Sequence, residues 1–377
     1  MSIFNQIKTN GLIGGTLLVT GCCIGVAMIG LPVMSALAGF LPSSVAMLLC
    51  YLFTTATGLL LLEATLWFDG KVNLPSIVEF ALGKWGKVLT LALFLLLFYC
   101  IFVAYLDGAG LLIADILSAL FHYPVSREIG IFVCVSFVAV ITYAGTKILI
   151  GLNRVLLFGL VISYLTLVSV GIPSVREENI AYMDWTSALA TIPILFICFG
   201  YQNIVPSLTY YLKKNVPVIR FAIIVGNLIP FFIYLLWNFV ILGMLHSDNA
   251  TFIKEANIVS DLLQNVSHSA SILFFIKSFS LFAILTSFLP NAMSFVDFLK
   301  DGFKKYFHQE EKAWILYGFV FIPPVICTLF YPHLFLQALG FAGGFIDVLL
   351  FGVLPATVIL IGRNVKKNGR SLSDDRR

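Results

Sequence analysis

Ten apolar stretches, separated by short polar segments, recur along the chain, and each is long enough to cross a bilayer. An α-helix needs about 20 predominantly apolar residues to span the hydrocarbon core of a membrane. The pattern therefore predicts an all-α integral membrane protein with ten transmembrane helices. The predicted spans lie near Gly11 to Ala38, Leu41 to Trp67, Trp85 to Leu120, Glu128 to Gly145, Ile148 to Ile172, Thr186 to Leu212, Val218 to Leu245, Ser269 to Phe298, Ala313 to Tyr331 and His333 to Gly362.

The basic residues lie almost entirely on one side of these spans. With the N-terminus in the cytoplasm, all 23 Lys and Arg residues fall in cytoplasmic segments except Arg127, Arg176, Lys254 and Lys277. Because short loops rich in Lys and Arg stay in the cytoplasm, this asymmetry predicts a multi-pass protein with both termini cytoplasmic. One acidic external loop, residues 246–265, has apolar residues at helical spacing and is predicted to form a short amphipathic helix.

The composition supports a membrane protein and excludes other classes. Hydrophobic residues make up 60% of the 377 residues and charged residues only 11%, and the mean hydropathy is +1.00. A chain of this kind needs lipid as its solvent. The net charge of +4 is too small to indicate a nucleic-acid partner. The seven cysteines lie mostly in apolar segments and lack metal-ligand spacing, so we expect neither a metal nor a cofactor.

Two of the ten stretches, the first and the sixth, are interrupted by glycine and proline. Glycine in a membrane helix often serves only close packing. Interruptions at corresponding positions of two five-helix halves are instead typical of inverted-repeat secondary transporters, which bind substrate at the breaks. We predict one transporter domain over residues 1–362, with repeats at about 11–172 and 186–362, and a basic tail over 363–377. The interrupting residues are Gly21, Gly25, Gly30 and Pro32 in the first stretch, and Pro193, Gly200 and Pro206 in the sixth.

A helix broken at mid-membrane has a chemical use. The unwound backbone leaves N–H and C=O groups unpaired, at several kcal/mol each, unless a polar group occupies the gap. The half-helix that begins after Gly25 would present its N–H groups and positive dipole end to a carboxylate. The half-helix that ends near Phe199 and Gly200 would offer carbonyl groups to an ammonium group. The sequence therefore predicts an amino acid zwitterion as the substrate.

Seven segments together resemble the bacterial aromatic amino acid permeases, the tyrosine and tryptophan permease group of the amino acid, polyamine and organocation superfamily. The resemblance runs in order from about Gly11 to Gly362. It implies the leucine-transporter type of fold and uptake of an aromatic amino acid, driven by the proton gradient, across the bacterial cytoplasmic membrane. The segments are TGCCIGVAMIGLP, LLLLE, AYLDGAG, IPILFICFGYQNIVPSLTYYL, GNLIPFFIYLLW, LTSFLPNAMSFVDFLKD and LFYPHLFLQALGFAGG.

The resemblance also places candidate substrate-binding residues. Carried over by position, the break in helix 1 falls on Gly21 to Gly25 and the break in helix 6 on Phe199 to Asn203. The family commonly has small hydroxyl residues where Cys22 and Cys23 stand. The candidate residues are Gly21, Cys22, Cys23, Gly25, Tyr105, Phe199, Gly200, Tyr201, Gln202 and Asn203.

Aromatic side chains on helices 3, 6 and 8 predict an apolar slot for the ring of the substrate. Packing against lipid or neighbouring helices is the alternative for each of these rings. Gln202 or Asn203 would hydrogen-bond a phenol hydroxyl, which would favour tyrosine over phenylalanine. The rings considered for the slot are Tyr99, Phe102, Tyr105, Phe199, Tyr201 and Phe282.

Five ionisable residues fall inside predicted spans: Glu63, Asp107, Asp115, Lys277 and Asp347. A charge within a membrane is costly and by default suggests function. Asp107 and Lys277 have similar predicted depths on helices that are neighbours in the fold implied above, so we predict an ion pair. The pair either only neutralises itself or takes part in coupling. Asp347 is a candidate gate or proton relay, whereas Glu63 and Asp115 lie near helix ends.

The coupling ion and the substrate have alternatives. Thr286 and Ser287 stand where sodium-coupled relatives of this fold place hydroxyl ligands, so sodium is an alternative to the proton. Tryptophan, serine and threonine are alternatives to tyrosine. A membrane enzyme or a channel is the rival from another class. The chain has no HExxH or GxSxG motif and its five histidines are scattered, so we predict that it is not an enzyme.

Overall fold

The computed structural model describes residues 2–245, 256, 258–259, 270–302 and 313–367, and every regular element within them is helical. The first half of the chain contains six α-helices. They are α1 (Ser2–Cys23), α2 (Ala27–Ala36), α3 (Phe40–Thr65), α4 (Leu74–Phe121), α5 (Arg127–Ala144) and α6 (Thr146–Gly171).

The second half contains shorter pieces as well as long helices. A π-helix, Ala342–Val353, joins two α-helices into one apolar span, and 3-10 turns form Ile172–Ser174, Ser187–Thr191 and Gln202–Ile204. The α-helices are α7 (Glu177–Ala181), α8 (Ile192–Cys198), α9 (Val205–Tyr211), α10 (Val216–Met244), α11 (Ala270–Gly302), α12 (Ala313–Phe330), α13 (Phe335–Phe341) and α14 (Leu354–Lys367).

Eight helical spans in the described residues are long and apolar enough to cross a membrane. A ninth consists of α1 and α2, which are bent by 56° at the break between them. The apolar part of α12, Ile315–Phe330, is shorter than these spans. All-helical membrane architecture is therefore confirmed, and the count of ten spans and the inverted repeat stay predictions. The predicted amphipathic helix at 246–265 lies outside the described residues apart from positions 256, 258 and 259.

The helix that carries the third predicted span begins earlier than the hydrophobic pattern indicates. It starts at Leu74, where the side chain of Asn73 accepts a hydrogen bond from the N–H of Ser76 at 3.0 Å. Pro75 fits the first turn, which needs no N–H donor. Gly83, with φ of +70°, interrupts the helix before the spanning part begins. The segment between Leu74 and Gly83 is therefore an additional helical piece at the end of the span.

The helices pack so that the two breaks lie close to α10, α11 and the π-helix. Helix α1 packs along α10, α11 packs against α4 and α6, and α8 packs against the π-helix. The last contact requires a glycine, because a Cβ on Gly343 would lie 1.8 Å from the carbonyl oxygen of Pro193. Large apolar side chains such as Trp237 and Phe279 fill the interior. Apolar side chains on the outside suit a surface that faces lipid.

Candidate functional site

The first break separates α1 from α2 at residues 24–26. The backbone N–H of Val26 donates a hydrogen bond to the Oγ of Ser287, on α11, at 3.2 Å. Gly25 is necessary for this approach, because a Cβ at that position would lie 2.5 Å from the same oxygen. Gly21, predicted to lie in the break, is helical instead, as are the two cysteines that follow it. A side chain from α11 therefore fixes the start of α2.

The second break lies between α8 and the 3-10 turn that precedes α9, close to where the sequence predicts it. The N–H of Gly200 donates to the carbonyl oxygen of Ile197 at 3.3 Å, and the N–H of Tyr201 donates to that of Phe199 at 3.1 Å. The chain thus turns tightly after Cys198 and resumes regular helix at Val205.

Tyr234, on α10, connects the two breaks. Its hydroxyl donates to the carbonyl oxygen of Cys23, the last residue of α1, and lies 3.4 Å from that of Cys198, the last residue of α8. Trp237, one turn later, donates from Nε1 to the carbonyl oxygen of Met28 at 2.9 Å. The sequence analysis missed both residues, although polar side chains within the apolar segment GNLIPFFIYLLW were a signal. Helix ends that need hydrogen-bond partners in lipid obtain them here from α10.

A cavity of about 240 Å³ lies between the two breaks. Its wall includes α1, α2, α4, α8, α11 and the π-helix, and it contains most of the residues that the sequence analysis selected. Those that line it are Gly21, Cys22, Cys23, Gly25, Tyr105, Gly200, Asn203, Thr286, Ser287 and Asp347.

Three other residues that were predicted from the sequence to bind substrate connect the second break to α3 instead. Phe199 and Tyr201 are fully buried, and the hydroxyl of Tyr201 donates to the carbonyl oxygen of Thr54 at 3.0 Å. Gln202 points the same way, with its Nε2 3.4 Å from the hydroxyl of Thr57. These three side chains contact α3 and do not line the cavity. The structure therefore leaves Asn203 as the cavity-lining amide of the polar triplet.

The aromatic lining of the cavity differs from the predicted slot. Tyr105 belongs to both, and its hydroxyl accepts a hydrogen bond from the Nδ2 of Asn291 at 2.9 Å. The other rings of the cavity are those of Phe94, Phe98 and Phe351. Positions 94, 98 and 105 share one helical face, because they are separated by one and two turns. The rings predicted for the slot but lying outside the cavity lining are Tyr99, Phe102, Phe199, Tyr201 and Phe282.

The cavity extends from the breaks toward the side that the charge pattern predicts to be cytoplasmic. Phe94 precedes Tyr105 by eleven residues, or about 16 Å of helix, in that direction. Gly21 is exposed, whereas the residues from Val26 to Leu31 are buried. On that buried side the ring of Phe335 lies against α2 and α4.

The predicted ion pair between Asp107 and Lys277 does not form. Asp107 pairs with Arg127, and Lys277 pairs with Asp115, with Nζ and Oδ2 2.6 Å apart. The prediction is wrong because Asp107 and Lys277 lie at different depths in the membrane. Lys277 lies seven residues after the start of α11 and Asp115 six residues before the end of α4, whereas Asp107 lies eight residues deeper than Asp115.

The Asp107–Arg127 pair connects four helices. Asp107 is fully buried in α4, and its Oδ2 accepts a hydrogen bond from the backbone N–H of Phe335, at the start of α13, at 3.0 Å. Arg127 begins α5 and also donates to the carbonyl oxygen of Thr328, near the end of α12, at 2.9 Å. We call Asp107, Arg127, Thr328 and Phe335 the external latch, because they lie on the side predicted to be external.

Glu63, another ionisable residue within a predicted span, also has a partner outside the cavity. Its two carboxylate oxygens accept hydrogen bonds from Arg363 at 2.9 and 2.7 Å. The pair joins the end of α3 to α14. Both side chains are substantially exposed, so the pair resembles a surface contact between helix ends.

Asp347 differs from these paired residues. It lies in the π-helix, is 5% exposed and lines the cavity. Within the described residues its Oδ1 has no hydrogen-bond partner. Its Oδ2 lies 3.7 Å from the position that a Cβ on Gly200 would take, which places the carboxylate beside the second break. The described part of the chain contains no group of three or more potential metal ligands.

Comparisons with known proteins give a consistent result. The sequence profile of the tryptophan/tyrosine permease family matches residues 8–371. "Tyrosine-specific transport system 1" of Haemophilus influenzae is 30% identical over 95% of this chain and 90% of that protein. "Glutamine transporter 2" of Aliivibrio fischeri is 30% identical over 93% and 89%. "Tryptophan-specific transport protein" of Haemophilus influenzae is 26% identical over 90% and 84%. The matched range, residues 8–371, therefore spans both breaks and the cavity between them.

Proposed function

Since the chain belongs to the tryptophan/tyrosine permease family, we propose that it imports an aromatic amino acid, with tyrosine as the preferred substrate, by proton symport. The protein is a multi-pass membrane transporter of a family that does not consist of enzymes. We place it in the bacterial cytoplasmic membrane with both termini in the cytoplasm. In the proposed architecture, ten helices form two inverted repeats of five, and substrate binds at the breaks in helices 1 and 6.

The cavity between the two breaks is the observation that carries this proposal. It combines polar groups at helix ends with four aromatic rings, and a largely apolar lining with a few polar groups is typical of ligand sites. Substrates of transporters with broken helices bind near mid-membrane, where half-helix ends meet their charged groups. An aromatic amino acid has both the charges and the ring that this lining would accommodate.

We propose a specific pose for tyrosine. Its carboxylate lies at the start of α2, where the positive end of the helix faces the break at Gly25. Its ring lies toward Phe94, Phe98 and Phe351, which provide an apolar surface. Asn203 is the proposed partner of the phenol hydroxyl, since it lines the cavity and Gln202 does not.

Tryptophan and glutamine are the competing substrates. Relatives of similar identity carry names that specify tyrosine, tryptophan or glutamine transport. The aromatic lining favours tyrosine and tryptophan over glutamine, because a polar amide gains less from burial against rings. A sodium ion bound through the hydroxyls of Thr286 and Ser287 is the alternative to proton coupling.

Uptake into proteoliposomes tests the proposal. Radiolabelled tyrosine is offered under an imposed inward proton gradient, without sodium, and each natural amino acid is added in turn as a competitor. We expect accumulation that a protonophore abolishes and that only tyrosine, tryptophan or phenylalanine reduce. Accumulation that requires sodium would contradict proton coupling. Strong competition by glutamine, serine or threonine would contradict the aromatic substrate.

A further inference from the structure

The buried carboxyl group of Asp347 lies in the wall of the proposed substrate site. We propose that Asp347 binds the coupling proton, taking it from the external side and releasing it to the cytoplasm. The step forms one O–H bond on the carboxylate and later breaks it, and it needs no other reactant. This inference rests on the proposed proton symport and assigns the coupling to one residue.

Asp347 lacks a counter-charge in the described residues. The other ionisable side chains that the sequence placed within spans are paired: Asp107 with Arg127, Lys277 with Asp115, and Glu63 with Arg363. In the described residues Asp347 has no ion pair and an unpartnered Oδ1, although it is 95% buried. Of the two carboxylates that are buried in the described residues, Asp107 thus has a counter-charge and Asp347 does not.

The cavity wall around Asp347 is mostly uncharged. Asp347 is the one charged side chain among the residues that line the cavity in the described part of the chain. The other titratable side chains there are Cys22 and Cys23 from α1 and Tyr105 from α4. Cys198, at the end of α8, is buried beside the same break. None of these groups carries a positive charge, so a proton is the simplest means of neutralising the carboxylate.

Asp347 also lies beside the proposed substrate site. The carboxylate lies beside Gly200, two residues after α8 ends, and the π-helix that carries it packs directly on α8. A change of charge on Asp347 therefore acts on a helix end that forms the proposed substrate site. π-helical segments often occur at functional sites, where their wider turn changes the direction of a side chain. Protonation of Asp347 and substrate binding are in this way connected through the second break.

The test compares two modes of transport in the Asp347→Asn variant. Asparagine keeps the size and polarity of the side chain but does not exchange a proton. We expect accumulation of radiolabelled tyrosine under a proton gradient to fall by about tenfold or more. Exchange of labelled for unlabelled tyrosine across the membrane should remain measurable, because exchange needs no net proton movement. Accumulation that remains sensitive to a protonophore in the variant would overturn the inference, as would loss of exchange together with accumulation in a folded variant.

Asp115→Asn is the matched control, because it makes the same change in a carboxylate outside the cavity. We expect this variant to accumulate and exchange tyrosine as the wild type does. Measurements on the wild-type protein distinguish failure of the proposed symport from failure of the proposed role of Asp347. Wild-type exchange without proton-driven accumulation contradicts the proposed symport itself. Proton-driven accumulation in both the wild type and Asp347→Asn contradicts only the role of Asp347.

A second measurement uses the unmodified chain and needs no substrate. N,N′-dicyclohexylcarbodiimide reacts with protonated carboxyl groups in apolar surroundings, and the product is located by peptide mass spectrometry. We expect labelling of Asp347 at acidic pH that decreases as the pH rises. Absence of labelling at acidic pH, or labelling that does not change with pH, would overturn the inference even if Asp347→Asn fails to fold.

Discussion

Gly25 lies so close to Ser287 that it has no room for a side chain. The Ser287 Oγ would be 2.5 Å from a Cβ on Gly25, and the same oxygen accepts the N–H of Val26. In Gly25→Ala the new methyl group must displace the Ser287 hydroxyl, which disrupts its hydrogen bond with the N–H of Val26 at the start of α2. We expect the initial rate of tyrosine uptake to fall by about tenfold or more, measured at matched protein levels.

A second substitution checks the cause of that loss. Ser287→Ala in the Gly25→Ala background removes the clashing oxygen, and the Ser287 Cβ would be 3.6 Å from the new methyl group, an ordinary contact. The double variant should therefore transport faster than Gly25→Ala alone, although it lacks the hydrogen bond to Val26. Equal rates in the two variants would show that the contact with Ser287 is not the reason for the loss.

Tyr234→Phe removes the hydroxyl that lies between the last carbonyl groups of α1 and α8. A buried polar group left without its partner costs about 1–3 kcal/mol. We expect the free energy of unfolding in detergent to decrease by about this amount, together with slower tyrosine uptake. Tyr164→Phe is the control, because its hydroxyl donates to Ile233, away from the breaks. An equal effect of both substitutions would contradict a special role for Tyr234.

Some residues of the candidate site could be predicted from their residue type. Others could not, because their role depends on contacts between helices that are distant in sequence. Gly25 and Gly200 line the cavity as the sequence predicts. Tyr234 and the hydrogen-bonding role of Ser287 depend on which helices become neighbours, which no local pattern specifies. The pairing of Asp107 failed for the same reason, because its partner Arg127 follows it by twenty residues on the next helix.

At the scale of helices, glycine alone did not locate the first break. Helix α1 continues through Gly21 because a single glycine costs only about 1 kcal/mol relative to alanine. The Oγ1 of Thr20 also donates to the carbonyl oxygen of Gly226, which holds this turn against α10. The helix breaks where α11 supplies a partner for the N–H of Val26. The sequence therefore predicts which helix is broken, and the neighbouring helices determine the residue.

The external latch allows a prediction about helix association. Arg127→Met leaves the carboxylate of Asp107 buried without its counter-charge, while α4, α5, α12 and α13 lose a shared contact. Breaking a buried ion pair from one side costs about 3–5 kcal/mol. We expect the free energy of unfolding in detergent to decrease by about that amount.

Lys277→Met is the matched control for the latch. The Lys277 and Asp115 side chains are 26% and 51% exposed, and exposed ion pairs contribute about 0–1 kcal/mol. This variant should unfold almost as the wild type does. A larger loss of stability in Lys277→Met than in Arg127→Met would contradict the assignment of the latch.

At the scale of the whole molecule, the cavity predicts which side of the membrane reaches the site. Cys22 is exposed and lines the cavity, whereas Cys23 beside it is buried. A membrane-impermeant maleimide should therefore modify Cys22 from the cytoplasmic side of oriented vesicles, and tyrosine should slow the reaction. Cys22→Ser provides the unlabelled control. Labelling of Cys22 from the external side alone would contradict the proposed orientation of the cavity.

The architecture was more predictable than the site because it depends on length and hydropathy, which are properties of each stretch alone. Nine of the ten predicted stretches coincide with helical spans of sufficient length, counting α1 and α2 as one. Helix α12 is the exception, and it carries Pro323 and Pro324 in its interior. Two adjacent prolines remove backbone donors, so this helix depends on its neighbours more than the others do.

The isolation of Asp347 in the cavity has an electrical consequence. With the coupling proton on Asp347, the carrier loaded with a zwitterionic amino acid crosses the bilayer with no net charge at this site. The empty carrier then returns with an ionised carboxylate and moves one negative charge outward. A potential of 100 mV, negative inside, favours that movement by about 2.3 kcal/mol. The membrane voltage would therefore reset the empty transporter, while the concentration gradients of proton and substrate determine the inward step.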